Sequence, residues 1–425
     1  MPKMTSRRSF IQRITAAGSV PFLYGFSSRL PRSKGKDPSR YDKIDKALAL
    51  PVLKTNFFDG PVRIANVTLW EHENSFICKV NSSDGAEGLS ISNNLRMDYL
   101  YPIFTKRIAP FFIGKDALDL DRLIEDVYKY KSNYKFQSYA LWVPVATVEF
   151  AILDMLGKRI GKPIGKLIGK IHNPEPRVYL PTRFRHLSPE KSIAETKRIL
   201  DATGYNAVKF KIGGKMGGNS EKVKGRSERI IAMARKELGD AMWLGVDANG
   251  GYDVKEAIRI GNILEDYDYA MYEEPLPFDW YHATQEVADA LKVPIAGGEQ
   301  EASMRNFRWM LGDDILQIVR PDMFYFGGMI RSIKVARMAD AVGVRCIPHL
   351  SGSGVGYLYA MHFLSAIPNG GAYNPCTKNT NDPIVPVYSD SSSLNVENGK
   401  FKVPTGAGLG VEIDPGFLKK HKVIN

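Results

Sequence analysis

The chain has 425 residues, of which 44% are hydrophobic and 24% are charged, so it can bury a large core and form more than one structural unit. Its formal net charge is +12, but residues 1–54 hold 12 Lys and Arg against three Asp, which leaves only +3 for the rest. This distribution argues against a basic surface on the folded body, and we expect no nucleic-acid partner. The three cysteines show no CxxC spacing and therefore indicate neither a zinc cluster nor a disulfide framework.

The first 30 residues resemble a twin-arginine export signal. Ser6-Arg7-Arg8-Ser9-Phe10 precedes a mildly apolar run over residues 14–26. We therefore expect a periplasmic protein; the alternative is a cytoplasmic protein with a basic tail, because the apolar run is weak and contains Pro21. Residues 31–56 are rich in Pro, Ser, Lys and Arg and are predicted to be a linker. No other segment approaches about 18 uninterrupted apolar residues, so we expect no integral membrane span.

Residues 57–175 are predicted to form a small α+β domain. Segments 61–70 and 75–81 alternate apolar and polar residues, and the following Ser82-Ser83-Asp84-Gly85 is typical of a hairpin turn. Two later segments have apolar residues at three- and four-residue spacing, which predicts helices over 117–130 and 143–158. Strands followed by helices indicate a domain that precedes and differs from the main body.

Residues 176–400 are predicted to form a (β/α)₈ barrel, in which short β-rich runs alternate with amphipathic helical stretches. The eight predicted strands are 178–180, 207–212, 242–246, 270–272, 293–296, 315–319, 345–347 and 371–373. Eight such alternations in roughly 200 residues are typical of this barrel, whose catalytic groups lie at the carboxyl ends of the strands. Residues 401–425 are predicted to pack back on the α+β domain.

Three acidic residues follow central strands at equal intervals. Asp247, Glu273 and Glu299 are each 26 residues apart, the length of one βα repeat, so we expect their carboxylates at one height on adjacent strands. Three converging carboxylates repel one another, and a divalent cation is the simplest way to neutralise them. Oxygen ligands favour Mg²⁺ over zinc. The alternative is three separate strand-end caps or surface charges, and Glu273-Glu274 leaves open which glutamate faces inward.

Basic residues accompany these acids. Lys209 and Lys211 are two apart on one predicted strand and therefore share a face, which in a barrel is the interior. Two buried ammonium groups beside a metal lower each other's pKa, which lets one act as a base. His349 follows an apolar run, so a core histidine is the alternative, but Asp322 lies 27 residues earlier, one strand away. Such a partner orients and charges the imidazole, which favours a functional pair.

At these positions the sequence resembles the mandelate racemase subgroup of the enolase superfamily, over about residues 57–417. The motifs that carry the resemblance are Ala207-Val208-Lys209-Phe210-Lys211-Ile212-Gly213, Val246-Asp247-Ala248-Asn249, Tyr272-Glu273-Glu274-Pro275, Gly297-Gly298-Glu299, Arg320-Pro321-Asp322 followed by Gly327-Gly328, and Pro404-Thr405-Gly406-Ala407-Gly408-Leu409-Gly410. The resemblance implies that the α+β domain caps the mouth of the barrel. It also implies Mg²⁺ as the cofactor.

The resemblance further implies the roles of individual residues. The three equally spaced acids would bind Mg²⁺, which selects Glu273 over Glu274. Lys211 would be the base on one face of the substrate, and His349 with Asp322 would serve the opposite face.

Two polar residues beside this group, Lys209 and Asn249, are implied to contact substrate oxygens or to tune Lys211. The sequence departs from the family at the eighth strand, where many members carry a glutamate that donates a hydrogen bond to the substrate carboxylate. Residues 371–376 contain no acid, and Asn374 is the residue that can donate a neutral hydrogen bond instead.

The resemblance implies removal of the proton next to the carboxylate of a hydroxy acid or sugar acid, through an enediolate. Acid and base groups on two faces favour dehydration of a sugar acid to a 2-keto-3-deoxy acid. Racemisation or epimerisation, and cycloisomerisation of an anhydro-sugar acid, are the alternatives. A rival of another class is an exported protein that binds a sugar acid without turnover; a base on each face argues against it. The expected partners are a small-molecule carboxylate and further copies of the chain in a homo-oligomer.

Overall fold

The N-terminal domain is built on a four-stranded antiparallel sheet. The computed structural model describes residues 37–351, 356–376, 394 and 396–424, so the Arg7-Arg8 pair of the predicted export signal lies outside the described residues. The sheet has the order β14-β1-β2-β3. Its strands are β1 Ile64–His72, β2 Ser75–Ser82, β3 Glu87–Ile91 and, from the end of the chain, β14 Lys422–Ile424. The predicted turn at Ser82-Ser83-Asp84-Gly85 joins β2 to β3.

One long helix, α5, forms the centre of this domain. The helices of the domain are α2 Asn94–Ile103, α3 Ala109–Phe112, α4 Leu120–Lys129, α5 Tyr139–Arg159 and α6 Ile164–Ile168, with a π-helical turn at Phe104–Ile108 and 3₁₀ turns at Ala117–Asp119 and Tyr130–Lys135. Every residue of α5 from Leu141 to Gly157 is buried. By length and composition alone α5 could cross a membrane, but 94% of its most apolar window is buried inside the protein. A helix that is apolar on all sides is expected at such a position.

The second domain is the predicted (β/α)₈ barrel. Its eight strands are β4 Val178–Pro181, β5 Ala207–Lys211, β6 Trp243–Asp247, β7 Met271–Glu273, β8 Ile295–Gly297, β9 Ile318–Val319, β10 Arg345–Cys346 and β11 Asn374–Pro375. They follow the order β10-β9-β8-β7-β6-β5-β4-β11, and every neighbouring pair is parallel. A parallel bridge between Cys346 and Gly370 joins the two ends of this order. The fold class is therefore confirmed.

A helix follows each of the first seven barrel strands. These helices are α7 Pro189–Thr203, α8 Arg226–Leu238, α9 Val254–Asp266, α10 Tyr281–Ala290, α11 Met304–Gly312, α12 Met329–Asp340 and α13 Gly356–Ala366; β12 Val396–Glu397, β13 Lys400–Phe401 and α14 Pro415–Leu418 come after the barrel. Helix α9 illustrates the local rules: Asp253 accepts a hydrogen bond from Glu256 N at its start, and it buries Ala257, Ile260 and Leu264 on one face.

The interior of the barrel changes from apolar to polar along the strands. At their amino ends it is filled by Tyr179, Ala207, Met271, Ala296, Ile318 and Ile347. Because side chains alternate along a strand, the inward positions that follow on β5 are Lys209 and Lys211. Opposite Lys211 lies Asp247 on β6. The apolar layer thus fills the barrel at the amino ends of the strands, and the charged groups lie at the carboxyl ends.

Several strand bounds differ from the sequence-based expectation by two or three residues, and two differences affect the interpretation. Within the stretch predicted as a linker, Pro38–Leu48 forms helix α1, where Ile44 is fully buried and Arg308 forms an ion pair with Asp45 at 2.5 Å. These contacts lie more than 260 residues apart in the chain, so local composition did not reveal them. The eighth strand is Asn374–Pro375, three residues later than predicted, because its pairing with the first barrel strand begins at Asn374, whose N–H donates to Arg177 O.

A buried glutamate joins the two domains. Glu149 of α5 is fully buried and accepts hydrogen bonds from Met329 N (2.5 Å) and Ile330 N (2.8 Å), the first residues of α12. A Cβ atom at Gly328 would lie 1.6 Å from the Glu149 carboxyl, and Gly328 has φ 109°, so only glycine fits there. Burial raises the pKa of Glu149 to about 8, although the two N–H donors lower it.

Glu149→Gln should remove a pH dependence of stability. In the unfolded chain a glutamate ionises near pH ~4.3, whereas in the folded protein Glu149 holds its proton up to about 8. The folded state therefore binds the extra proton between these values, and the free energy of unfolding should fall as pH rises through this window. Urea unfolding at several pH values should show a smaller fall for the variant than for the wild type. Equal slopes would contradict a protonated Glu149.

Candidate active site

Three carboxylates converge at the carboxyl ends of adjacent barrel strands. Asp247 ends β6 and Glu273 ends β7, directly opposite each other, and Glu299 lies two residues beyond β8. One oxygen from each carboxylate lies within 4.8 Å of the others, and all three residues are buried. Each 26-residue interval thus corresponds to one βα unit, and the three acids lie at the ends of three successive strands.

The donor set fits a hard divalent cation. All three side chains offer only oxygen, the ligand atom that Mg²⁺ prefers. Glu299 Oε2 is buried and has no hydrogen-bond partner among the described residues, and an unmet buried acceptor is costly unless a cation or donor satisfies it. Burial raises the pKa of Glu299, and Glu273 and Asp247 add to this effect against the opposing influence of His349. Mutual repulsion of this kind is what a bound cation relieves.

The two lysines both reach the acids but differ in access. The Lys211 ammonium contacts Asp247 and donates a hydrogen bond to Asn249 Oδ1 at 2.9 Å, and its side chain is 22% exposed. Lys209 contacts Glu273 and has only 5% of its side chain exposed. Burial lowers the pKa of Lys209, but the charge of Glu273 outweighs this and leaves the pKa above its ordinary value. Lys211 is therefore the lysine with an open path to a ligand.

Arg320 completes the surroundings of Glu273, a role that the sequence did not indicate. Its guanidinium is 1% exposed, lies 2.7 Å from Glu273 Oε1 through Nε, and donates to the Tyr179 hydroxyl at 3.2 Å. Glu273 thus lies between Arg320 and Lys209. Burial raises the pKa of Glu273, but Arg320 and Lys209 together hold it below its usual value. An arginine directly after a buried strand was the available signal.

Arg320→Met should destabilise the metal-free protein by about 3 kcal/mol, because it removes one of the two cations beside a buried carboxylate. Urea unfolding in EDTA measures the loss. Arg259→Met is the matched control: Arg259 pairs with Glu228 and Glu256 on the surface, with 46% of its side chain exposed, so that variant should lose less than ~1 kcal/mol. Equal losses in the two variants would show that Arg320 contributes no more than a surface ion pair.

His349 and Asp322 form a hydrogen-bonded pair on the other side of the acids. His349 Nδ1 lies 2.7 Å from Asp322 Oδ2, and His349 Nε2 lies 3.5 Å from Glu299 Oε2. Burial lowers the pKa of His349, but Glu299 and Asp322 raise it more, so the imidazole has a pKa above its ordinary value. Asp322 Oδ1 accepts from Phe324 N and Tyr325 N, which fixes the carboxylate. His349 is therefore not an isolated core histidine.

Asn249 is the centre of a second polar group. Its Oδ1 accepts from Lys211 Nζ and, at 3.0 Å, from Arg185 Nη2, while its Nδ2 donates to Glu274 Oε2 at 3.3 Å. Glu274 is buried and has φ 41°, so the backbone leaves the extended conformation of the strand directly after Glu273. The structure therefore brings Asn249 beside Lys211 and gives Glu274 a different partner from Glu273.

The structure does not bring Asn374 to this group. Its Nδ2 donates to Arg177 O and Gly371 O, both at 3.2 Å, and its backbone pairs with Val178, the first residue of the first barrel strand. Asn374 therefore lies at the amino end of the barrel, opposite to the carboxylates, and the prediction that it contacts substrate receives no support from its position. Asn374 therefore does not replace, at the mouth of the barrel, the glutamate that many family members carry on the eighth strand.

The fold and the carboxylate cluster define a class of protein, a (β/α)₈ barrel with an acidic cluster suited to a divalent cation at the carboxyl ends of its strands. Two family profiles match the chain: "Mandelate racemase / muconate lactonizing enzyme, N-terminal domain" over residues 49–169 and "Enolase C-terminal domain-like" over residues 191–417. The chain therefore belongs to the mandelate racemase/muconate lactonizing enzyme family of the enolase superfamily.

Curated relatives include two dehydratases and one isomerase. D-xylonate dehydratase of Haloferax volcanii is 26% identical over 75% of this chain and 79% of its own length. Arabinonate dehydratase of Saccharolobus solfataricus is 27% identical over 83% and 92%. D-galactarolactone cycloisomerase of Agrobacterium fabrum is 27% identical over 74% and 82%.

Solved structures show the same two-domain architecture. A protein of Roseobacter denitrificans superposes with a TM-score of 0.80 at 30% identity, covering 85% of this chain and 99% of its own. A mandelate racemase/muconate lactonizing protein of Paracoccus denitrificans, complexed with magnesium, superposes with a TM-score of 0.75 at 25% identity, covering 86% and 99%. Enzymes of the enolase superfamily pair Mg²⁺ with a lysine or histidine base.

Proposed function

We propose that this protein is a Mg²⁺-dependent lyase that dehydrates a sugar acid to a 2-keto-3-deoxy acid. The observation that carries the proposal is the placement of two proton-transfer groups at opposite ends of the carboxylate cluster. Lys211 contacts Asp247, and His349 approaches Glu299. A protein that only binds a sugar acid needs no such pair, whereas a dehydratase needs one group to remove a proton and one to protonate the leaving hydroxyl.

The cation belongs to the three carboxylates in this proposal. Asp247, Glu273 and Glu299 would hold Mg²⁺, and Lys209 and Arg320, which flank Glu273, would keep it ionised. When bound, the cation supplies positive charge that stabilises the substrate carboxylate as negative charge builds up on it. An α-proton is too weakly acidic for an amine to remove without such stabilisation.

The protein residues divide the remaining chemistry. Lys211, as the neutral amine, takes the proton from C2, and Asn249 holds the Lys211 ammonium through Oδ1 once it has formed. His349, charged and oriented by Asp322, gives its proton to the C3 hydroxyl, which leaves as water. The resulting enol becomes the 2-keto acid when C3 takes a proton from solvent. The dehydratases among the relatives support this outcome.

The proposal is tested with a panel of aldonic and aldaric acids, Mg²⁺ and a colorimetric assay for 2-keto acids. We expect at least one acid to give keto acid and to carry deuterium at C3 when the reaction is run in D₂O. If deuterium appears at C2 of unchanged or inverted substrate and no keto acid forms, the activity is racemisation or epimerisation and not dehydration. Isomerisation of a lactone without keto-acid formation would favour the activity named for the Agrobacterium relative.

A further inference from the structure

The hydrogen bonds of the Asp322–His349 pair continue into the N-terminal domain. Ser351 Oγ donates to Asp322 Oδ1 at 2.9 Å, and Asn93 Nδ2 donates to Ser351 Oγ at 3.0 Å. Asn93 lies between β3 and α2 of the N-terminal domain, called the capping domain from here on, and 256 residues before His349. An unbroken chain of four side chains therefore links the capping domain to the imidazole. The resemblance to the family assigned no role to Asn93 or Ser351.

The number of protons available to Ser351 and Asp322 fixes the donor and the acceptor in each of these hydrogen bonds. A serine hydroxyl has one proton to donate, and Asp322 Oδ1 is an acceptor that already receives two backbone N–H bonds. If Ser351 gave its proton elsewhere, two oxygen lone pairs would face each other across the 2.9 Å contact. Ser351 therefore donates to Asp322 and must accept from Asn93. This requires the Asn93 amide nitrogen, not its oxygen, to face Ser351.

The oxygen of the same amide makes no hydrogen bond within the part of the chain that the structure describes. Asn93 is 1% exposed, and Asn93 Oδ1 is buried with no hydrogen bond among the described residues. An unmet buried acceptor in a native protein calls for an explanation such as a bound ligand or water. Because Oδ1 belongs to the amide whose Nδ2 donates to Ser351, this acceptor is only two hydrogen bonds away from Asp322.

The segment that carries Asn93 is held firmly. Ile91 N donates to the Tyr359 hydroxyl at 2.9 Å, and this hydroxyl donates to Ile91 O at 3.1 Å, so a barrel helix binds both backbone groups of the residue. Ser92 Oγ lies 2.9 Å from Thr147 Oγ1 of α5. Residues held by packing and by outer hydrogen bonds can orient catalytic groups precisely, and Asn93 directly follows two residues that are held in this way.

We infer that Asn93 positions the Asp322–His349 pair through Ser351, and that its Oδ1 accepts a hydrogen bond from a hydroxyl of a polyhydroxy acid. This inference rests on the proposed function and adds a specificity-determining residue to it. One amide then serves two purposes: Nδ2 orients the imidazole, and Oδ1 recognises a substrate that carries a hydroxyl. An acid without a hydroxyl on that side leaves Oδ1 unpaired and should be a poorer substrate.

The test compares Ser351→Ala, Ser351→Thr, Asn93→Asp and the double variant Asn93→Asp/Ser351→Ala, using the acid that the wild type turns over best. Ser351→Ala should lower kcat about 10-fold with KM within threefold, and Ser351→Thr should restore most of kcat because it keeps the hydroxyl. Asn93→Asp keeps the shape but loses the N–H donor, so it should lower kcat by a similar factor. The double variant should lose little more than either single variant, because both break the same chain.

Two further readouts separate positioning from general damage. Exchange of the α-proton in D₂O should slow only for the configuration that faces His349, and Mg²⁺ affinity should stay within about twofold of the wild type. Asn94→Ala is the matched control: its Oδ1 accepts from Phe76 N inside the capping domain, so it should lower stability without slowing exchange on one face.

The outcomes distinguish this inference from the proposed function. A wild type that neither turns over nor exchanges any acid overturns both. A wild type that is active, with unchanged kcat in Ser351→Ala and Asn93→Asp, overturns the inference alone. Multiplicative losses in the double variant, or equal slowing of exchange on both faces, would also overturn it, because they would mean that the two residues act independently or only through stability.

Discussion

Glu273→Gln should abolish measurable turnover and weaken Mg²⁺ binding by about 100-fold or more, and Asp247→Asn should do the same. Each change keeps the shape of a proposed ligand but removes the charge that binds the cation, and even residues behind the ligands typically cost 10–100-fold when altered. Isothermal titration with MgCl₂ measures the affinity, and keto-acid formation measures turnover. Both should fail together.

Glu274→Gln is the control for the metal site. Glu274 lies outside the cluster of Asp247, Glu273 and Glu299 and accepts a hydrogen bond from Asn249 Nδ2, so the change to an amide removes no proposed ligand. Mg²⁺ affinity should therefore stay within a few fold of the wild type. Equal loss of affinity in Glu273→Gln and Glu274→Gln would mean that the wrong set of carboxylates has been assigned.

Lys211→Ala and His349→Asn should each lower keto-acid formation by at least about 100-fold, the usual contribution of a general acid or base. They should nevertheless differ in solvent exchange. If the two residues serve opposite faces, one variant should still exchange the α-proton on the face of the residue that remains. Proton NMR in D₂O with saturating Mg²⁺ measures this, after circular dichroism has shown that each variant is folded.

Asp322→Asn should behave as a weaker His349 variant, because it removes the charge beside Nδ1 and leaves the imidazole in place. The account of two faces would fail if His349→Asn kept wild-type turnover. It would also fail if both variants lost exchange on both faces, since neither residue would then act alone on its own side.

The acidic cluster could be predicted from the sequence because it depends on repetition. One βα unit brings each strand end to the same height as the previous one. The 26-residue spacing of Asp247, Glu273 and Glu299 therefore predicts that the three carboxylates lie close together. Because side chains alternate along β5, the sequence likewise predicted that Lys209 and Lys211 both point into the barrel. These features need only short-range periodicity, and the structure has them.

Other features depend on contacts that no local pattern encodes. Asn93 meets Ser351 across 258 residues, and the polar helix α1 is held by Arg308 and the end of α11. Spacing along one strand predicts neither. The resemblance to the family placed Asn374 near the substrate, because many members carry a glutamate on the eighth strand, but a strand that starts three residues later places Asn374 at the amino end of the barrel.

The most direct test of the central claim is a reaction of the wild-type protein in D₂O with a panel of sugar acids, run once with Mg²⁺ and once with EDTA and followed by NMR. Mg²⁺-dependent abstraction of the α-proton predicts that at least one acid is converted to a 2-keto-3-deoxy acid with deuterium at C3, and that EDTA abolishes the conversion. Binding of a sugar acid without deuterium incorporation in any compound, or full conversion in EDTA, would contradict it.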